Sequence, residues 1–257
     1  MFVAISYMPT CGFGNRILYY YNLRQMAHKL NCEFLCAPWE GYQYFQGNLL
    51  GTHRPIRNEQ YKNLDFCLAE KFYDYNGLPT RDVFKLKLSP VLDENTCAVH
   101  FRGTDFHQWN PESILSSDYY LRSIEETKNF INTYILFTDD YTLDSFIKVE
   151  KYLKDNKIKY FLGKNTSDRM DYISDFSIMT ECDYIISSPS TFCISAGFVG
   201  KNKKIIHSKD WIEKRVSVND KGDKTPVTIT EKQHVINLFK LLIKEDINVD
   251  NISFKRN

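Results

Sequence analysis

The sequence predicts an α/β protein built on parallel strands, and two patterns carry that reading. Beyond Pro90, short apolar stretches at 96–99, 133–137, 159–162, 184–187 and 204–207 alternate with helical patterns at 118–130, 142–155 and 169–181. Alternation of this kind marks a parallel sheet covered by helices on both faces. The chain also opens on a strand, a glycine-containing loop, a helix and a second strand. Residues 2–7 form the first apolar run, and Gly12 and Gly14 lie in the loop. From Asn15 to Leu30, the residues Ile17, Leu18, Tyr21, Met26 and Leu30 recur at helical spacing. Glu33-Phe34-Leu35-Cys36 is the next strand. The opening is Rossmann-like, although Gly12-x-Gly14 without a third spaced glycine is not the dinucleotide fingerprint.

The remaining segments follow from composition. Between Pro38 and Pro90 the chain is aromatic and irregular, with Gly41, Gly47, Gly51 and Gly77, and short helices and loops are expected. Residues 229–244 read as an amphipathic closing helix starting near the cap Thr230. The charged stretch 245–257 reads as a loose tail.

At 257 residues the chain can bury a sizeable core, as one large domain or two small ones. A net charge of +1 excludes a broad basic field for nucleic acid or an anionic membrane. Seven cysteines are scattered among apolar neighbours without zinc-ligand spacing, so buried free thiols in a reducing compartment are expected. The opening residues lack a basic n-region, and no uncharged stretch reaches membrane-spanning length. The expectation is a soluble, cytoplasmic protein, compatible with peripheral association with a membrane that carries its acceptor. Aromatic residues make up 15%, enough for ligand-facing platforms, although core packing absorbs most such rings.

Chemistry collects at the strand ends. The run Cys97-Ala98-Val99 stops at His100-Phe101-Arg102-Gly103-Thr104-Asp105. In an open α/β sheet ligands sit beyond the carboxyl ends of the strands. A guanidinium there can grip a phosphate with forked hydrogen bonds, and Gly103 permits close backbone approach. Asp105 can fix the turn or the arginine. Three further segments follow in order around this one: Cys11-Gly12-Phe13-Gly14-Asn15-Arg16, then Leu115-Ser116-Ser117-Asp118-Tyr119-Tyr120, then a helix from Asp175 to Cys182 leading into 184–192 with Ser188-Pro189-Ser190-Thr191-Phe192.

In this order, over about residues 10–200, the chain resembles the α1,2-fucosyltransferases and more distantly the α1,6- and protein O-fucosyltransferases. Those families carry G-x-G-N-[QR], H-x-R-x-x-D and S-x-S-T-F segments. Two departures stand out. The α1,2 and α1,6 families usually place a second arginine where this chain has Gly103, and the α1,2 family reads N-S-T-F with paired tryptophans where this chain has Pro189 and then Cys193-Ile194-Ser195.

The resemblance implies a GT-B-like fold of two Rossmann-like lobes with a nucleotide-binding crevice. The expected division is 1–92 for an acceptor lobe, 93–228 for a nucleotide-sugar lobe, and 229–257 for the closing helix and tail. It implies an inverting glycosyltransferase that needs no metal and moves fucose from GDP-fucose to an oligosaccharide or glycan acceptor. Arg102 would hold the diphosphate, with Ser190, Thr191 and Phe192 beside it at a helix start. His100 and Asp175 would face the base, the Asp175 carboxylate accepting from the guanine ring N–H and amino group. Gly12, Gly14, Asn15 and Arg16 would approach the diphosphate or the sugar.

Each role has a plain structural counterpart: N-capping for Asn15 and for Ser190-Thr191, a turn for Gly12 and Gly14, a satisfied strand-end histidine for His100, an exposed helix charge for Asp175. Asp139-Asp140 reads as loop capping and helix-start charge, with a metal-binding role as the lesser option. The base that deprotonates the acceptor hydroxyl is open between Glu112, Glu40 and Asp105. Rival readings are a transferase on the same scaffold using another nucleotide sugar, and a nucleotide- or glycan-binding protein without catalysis.

Overall fold

The computed structural model describes residues 2–5, 12–46, 83–109, 111–163, 172–200, 202, 204–208, 216–218, 224–226 and 252–255. They fall into two compact units, Met1–Ser89 and Pro90–Asn257.

The first unit is a β–α–β element. Strand β1 (Phe2–Ile5) lies parallel to β2 (Glu33–Cys36), Phe2 opposite Glu33, and α1 (Phe13–Lys29) joins them. Ile17, Leu18 and Tyr21 are buried as their spacing predicts, but Met26 is only half-buried and Leu30 is exposed at the helix end. The buried face is broader than one stripe, because Tyr19, Tyr20, Leu23, Gln25 and Ala27 are also covered. Trp39 packs over this face, with ring centroids 6.2 Å from Phe13 and 5.4 Å from Tyr20. A four-residue helix, α2 (Gly41–Tyr44), follows, and Phe45 and Phe84 stack edge to face at 5.2 Å to close the aromatic core. The expected loops between 47 and 82 lie outside the described residues.

The second unit holds a six-stranded sheet in which every pairing is parallel. Its strands are β3 (Thr96–Phe101), β4 (Thr133–Thr138), β5 (Tyr160–Leu162), β6 (Tyr184–Ile186), β7 (Lys204–Ser208) and, beyond a separate antiparallel pair of β8 (Val216–Val218) and β9 (Lys224–Pro226), β10 (Ile252–Lys255). The order across the sheet is β5-β4-β3-β6-β7-β10. Counted from β3, this is 3-2-1-4-5-6, the doubly wound order whose direction reverses between its first and fourth strands. Residues 252–255 are therefore an edge strand, which corrects the expectation of a loose tail. Parallel pairing with β7, Phe254 opposite His207, satisfies their backbone groups. The closing helix expected at 229–244 lies outside the described residues.

Burial explains the central strands. All six residues of β3 and all six of β4 are buried, so both read as continuous apolar runs rather than alternating ones. Strand β3 runs two residues beyond its apolar sequence signal, because His100 and Phe101 still pair with Phe137 and Thr138 of β4. The connecting helices are α4 (Ser117–Thr127), α5 (Asp144–Asp155), α6 (Tyr172–Glu181) and α7 (Thr191–Val199), with the short α3 (Phe106–Trp109) after β3. In α5, Phe146, Val149 and Leu153 give the buried stripe, while Lys148 and Lys151 lie outward and pair with Asp144 and Asp155.

A sheet that grows in opposite directions from β3 and β6 by right-handed crossovers places its helices on opposite faces. Accordingly Val99, Phe101 and Leu136 belong to one core with Tyr119, Ile124 and Val149 of α4 and α5. Gly197 of α7 lies instead against Ile185 and Ile205 on the other face. Phe101 stacks at 4.2 Å on Tyr120 and edge-on at 5.4 Å on Phe146.

Two tyrosines of α4 stitch the strand ends from below. The Tyr119 hydroxyl donates to the carbonyls of Ser187 at 3.0 Å and Ile206 at 3.1 Å, and the Tyr120 hydroxyl to that of His100 at 3.1 Å. Phe101→Ala should lower unfolding free energy by about 3–5 kcal/mol through lost burial and a cavity. Tyr119→Phe should lower it by about 1–2 kcal/mol, since the ring stays and only the hydroxyl's contacts with the Ser187 and Ile206 carbonyls are lost. Urea denaturation of both variants checks the ranking.

Candidate functional site

The reversal of strand order places the ends of β3 and β6 side by side, and His100, Ser188 and Phe192 collect there. Val99 pairs with Ile186, so His100 continues next to Ser187-Ser188. His100 Nδ1 and Ser188 Oγ are joined by a 2.6 Å hydrogen bond. One strand further on, Ser187 Oγ is hydrogen-bonded to His207 Nδ1. Both imidazoles are buried. Burial lowers each to about 3, with the Arg102 cation as a second cause for His100. At neutral pH both rings are uncharged, one nitrogen a donor and the other an acceptor.

Phe192, the second residue of α7, lies 6.0 Å from the His100 ring and 5.4 Å from Phe176 of α6. Ser190 takes the N-cap position of α7 with extended backbone, yet its side chain makes no capping hydrogen bond. Asp175, one turn into α6, is only 4% exposed, which removes the reading of an exposed helix charge. Its carboxylate lies beside Gly163, just beyond β5: a Cβ on Gly163 would come within 3.0 Å of Asp175 Oδ1.

Arg102 emerges from β3 at the same end. Its Nη1 lies 2.5 Å from Asp139 Oδ2 and its Nη2 lies 2.8 Å from Asp105 Oδ1. Asp139 is the better held of the two carboxylates. It also accepts from the Gly103 backbone N–H and the Thr104 hydroxyl, each at 2.8 Å. The register accounts for the meeting: Phe101 pairs with Thr138, so Arg102 and Asp139 are the next residue on each of two neighbouring strands.

Asp140 accepts from the Thr142 hydroxyl at 2.6 Å and its N–H at 2.9 Å, and lies 3.1 Å from His107 Nε2. The Thr142 hydroxyl, more than the other contacts, holds Asp140 below the usual carboxylate range. Asp140 thus carries the turn ahead of α5, as its sequence position suggests. Asp139 was readable only as a loop charge; opposite charges just past two adjacent strands were the available signal for its pairing. Ser188 opens the S-x-S-T-F segment, but nothing in the sequence signals its bond to His100, and His207 carries no signal of its bond to Ser187.

In the first unit, Arg16 Nη2 lies 2.5 Å from Glu40 Oε1. Gly12, not Asn15, is the N-cap of α1, and it offers no side chain. Gly14 is buried within the first turn. Buried polar atoms without a hydrogen-bond partner include Asn15 Oδ1, Arg16 Nε and Trp39 Nε1. Glu112 stands apart, exposed in the 3-10 turn Pro111–Ser113. Among the described residues, Cys36, Cys97, Cys182 and Cys193 are buried free thiols, and no helix is long and apolar enough to cross a membrane.

Compared with known proteins, the chain matches no family model and no curated sequence.

The two neutral imidazoles give the unit an acid limit. An unfolded histidine takes up its proton near 6.5, whereas the folded ones resist until about 3. Between those values the unfolded chain binds more protons, so stability falls as pH falls. From pH 7 to pH 5 the loss should be about 2 kcal/mol per imidazole. Urea midpoints at the two pH values measure it, and His207→Asn should remove about half of the difference.

Proposed function

We propose that this chain is an inverting, metal-independent glycosyltransferase of GT-B type that moves fucose from GDP-fucose to a glycan acceptor. The observation that carries the reading is the H-x-R-x-x-D loop lying at the reversal of strand order, with Ser188 to Phe192 beside it. Ligands of doubly wound sheets bind at that crevice.

In this reading Arg102 and the first backbone amides of α7 offset the charge that grows on the leaving diphosphate. His100, held neutral by burial, offers a hydrogen bond rather than a charge. Asp175 selects guanine, accepting from the ring N–H and the amino group. The acceptor oxygen attacks the sugar's anomeric carbon as the bond to the diphosphate breaks, and the acceptor proton passes to a carboxylate. Asp105 and Glu40 each face an arginine that competes for their lone pairs. Glu112 has no ion pair among the described residues and is the base we favour. Asp139 and Asp140 are spent on Arg102, Gly103, Thr104, Thr142 and His107, so they serve the loop rather than a metal.

GDP should raise the melting temperature well above the effect of UDP or ADP, since only a bound ligand stabilises by mass action. Equal shifts from all three would remove the guanine assignment. Arg102→Lys should keep the fold and lose roughly 100- to 1000-fold in GDP release from GDP-fucose, about 2.7–4 kcal/mol. A normal rate per folded molecule would reduce Arg102 to a structural ion-pair partner. Turnover should persist in EDTA; its loss, restored by Mg²⁺ or Mn²⁺, would overturn the metal-independent mechanism.

A further inference from the structure

We infer that the two carboxylates on Arg102 have different jobs: Asp139 anchors the guanidinium, and Asp105 is an internal anion that gives way to a phosphate. The inference rests on the reading of Arg102 as a phosphate ligand and concerns how that site is regulated. The two partners differ in three respects. Asp139 comes from the end of β4, is 21% exposed, and is fixed by three donors: Arg102 Nη1, the Gly103 N–H and the Thr104 hydroxyl. Asp105 lies on the arginine's own loop, is 58% exposed, and faces Arg102 through the single 2.8 Å contact at Nη2. Moving Asp139 would break its contacts with Arg102, the Gly103 N–H and the Thr104 hydroxyl together. Moving Asp105 requires one exposed side chain to rotate.

A phosphate oxygen seeking Nη2 competes directly with the Asp105 carboxylate. Both are anionic acceptors with similar geometry, and the exposed ion pair is the weaker of the two on Arg102. His107 is engaged with Asp140, while the Phe106 ring centroid lies 5.7 Å from the guanidinium carbon and supports its flank. With Nη1 locked by Asp139, the guanidinium keeps its plane when Asp105 leaves. Asp139 is then a positioning residue, and Asp105 sets the threshold for anion binding.

The two carboxylates therefore predict opposite effects, read by calorimetric titration of the full chain with GDP and with inorganic diphosphate. Asp105→Asn should bind both ligands about two- to fivefold more tightly, and Asp105→Ser should do the same, which separates loss of the carboxylate from any new contact made by the asparagine amide. Asp139→Asn keeps an acceptor for the Gly103 N–H but turns an amide toward Arg102, and should bind both about tenfold more weakly. In an Arg102→Met background, which has no cation for Asp105 to occupy, Asp105→Asn should no longer tighten binding, which separates action through Arg102 from simple removal of a negative charge. Unchanged or weaker binding by both Asp105 variants would overturn the inference while leaving the proposed function standing, as would tightening that survives in the methionine background. Tight binding of diphosphate without preference for GDP, with the Asp105 effect intact, would sink the GDP reading and leave this inference in place. A wild-type chain that binds neither ligand would overturn both.

Discussion

The pairing of β3 with β4 is the constraint on which the candidate site depends. Six consecutive residue pairs, from Thr96 with Thr133 to Phe101 with Thr138, fix the two strands in one register. A slip by a single residue would turn every side chain of β3 to the other face, exposing Val99 and Phe101 to the wrong helices. It would also separate Arg102 from Asp139. The ion pair is thus a consequence of strand register, and the apolar core between the sheet and α4 and α5 holds that register.

Beneath the strand ends lies a layer of buried polar groups that could have been apolar. His100 and Ser188, Ser187 and His207, and the Tyr119 and Tyr120 hydroxyls on strand-end carbonyls form this layer. Buried polar groups cost stability unless they are hydrogen-bonded, and hydrogen bonds of this kind favour one arrangement of the groups that make them. It ties the ends of β3, β6 and β7 together where the sheet reverses direction. Burial, and after it the Arg102 cation, keeps His100 uncharged, so any ligand there meets a neutral hydrogen-bonding ring.

The architecture was largely legible in the sequence because parallel central strands leave continuous apolar runs. Strands β3 and β4 and the helices between them follow that signal to within two or three residues. The edge strand β10 was not legible: Ile252-Ser253-Phe254-Lys255 sits in a charged stretch, and its strand state comes from pairing with β7 rather than from its own composition. The helix α1 is legible from its spacing, but the buried face is broader than the apolar stripe because the aromatic core also covers Tyr19, Tyr20 and Leu23. For the site, the sequence showed which loops carry polar chemistry but not which groups meet. Local patterns cannot show that Asp139 reaches a residue 37 positions earlier, because that contact is made by strand register.

Gly103 joins the packing to the chemistry. A Cβ at this position would lie 2.8 Å from the Asp140 Cβ and 2.9 Å from Leu143 Cδ1 and Cγ. Leu143 is buried in the core, and Asp140 is tied into the turn before α5 by its bonds to Thr142, so neither can yield as the tip of a flexible chain would. A second arginine beside Arg102 would therefore have to move the β4–α5 turn, and with it Asp139, which holds the first arginine. The close packing at Gly103 and the anchoring of Arg102 are two sides of the same turn. With one guanidinium already shared between two carboxylates, any grip on a polyanion at this loop must draw the rest of its attraction from backbone dipoles such as the start of α7. The absence of a second arginine beside Arg102 fits how tightly the turn is packed.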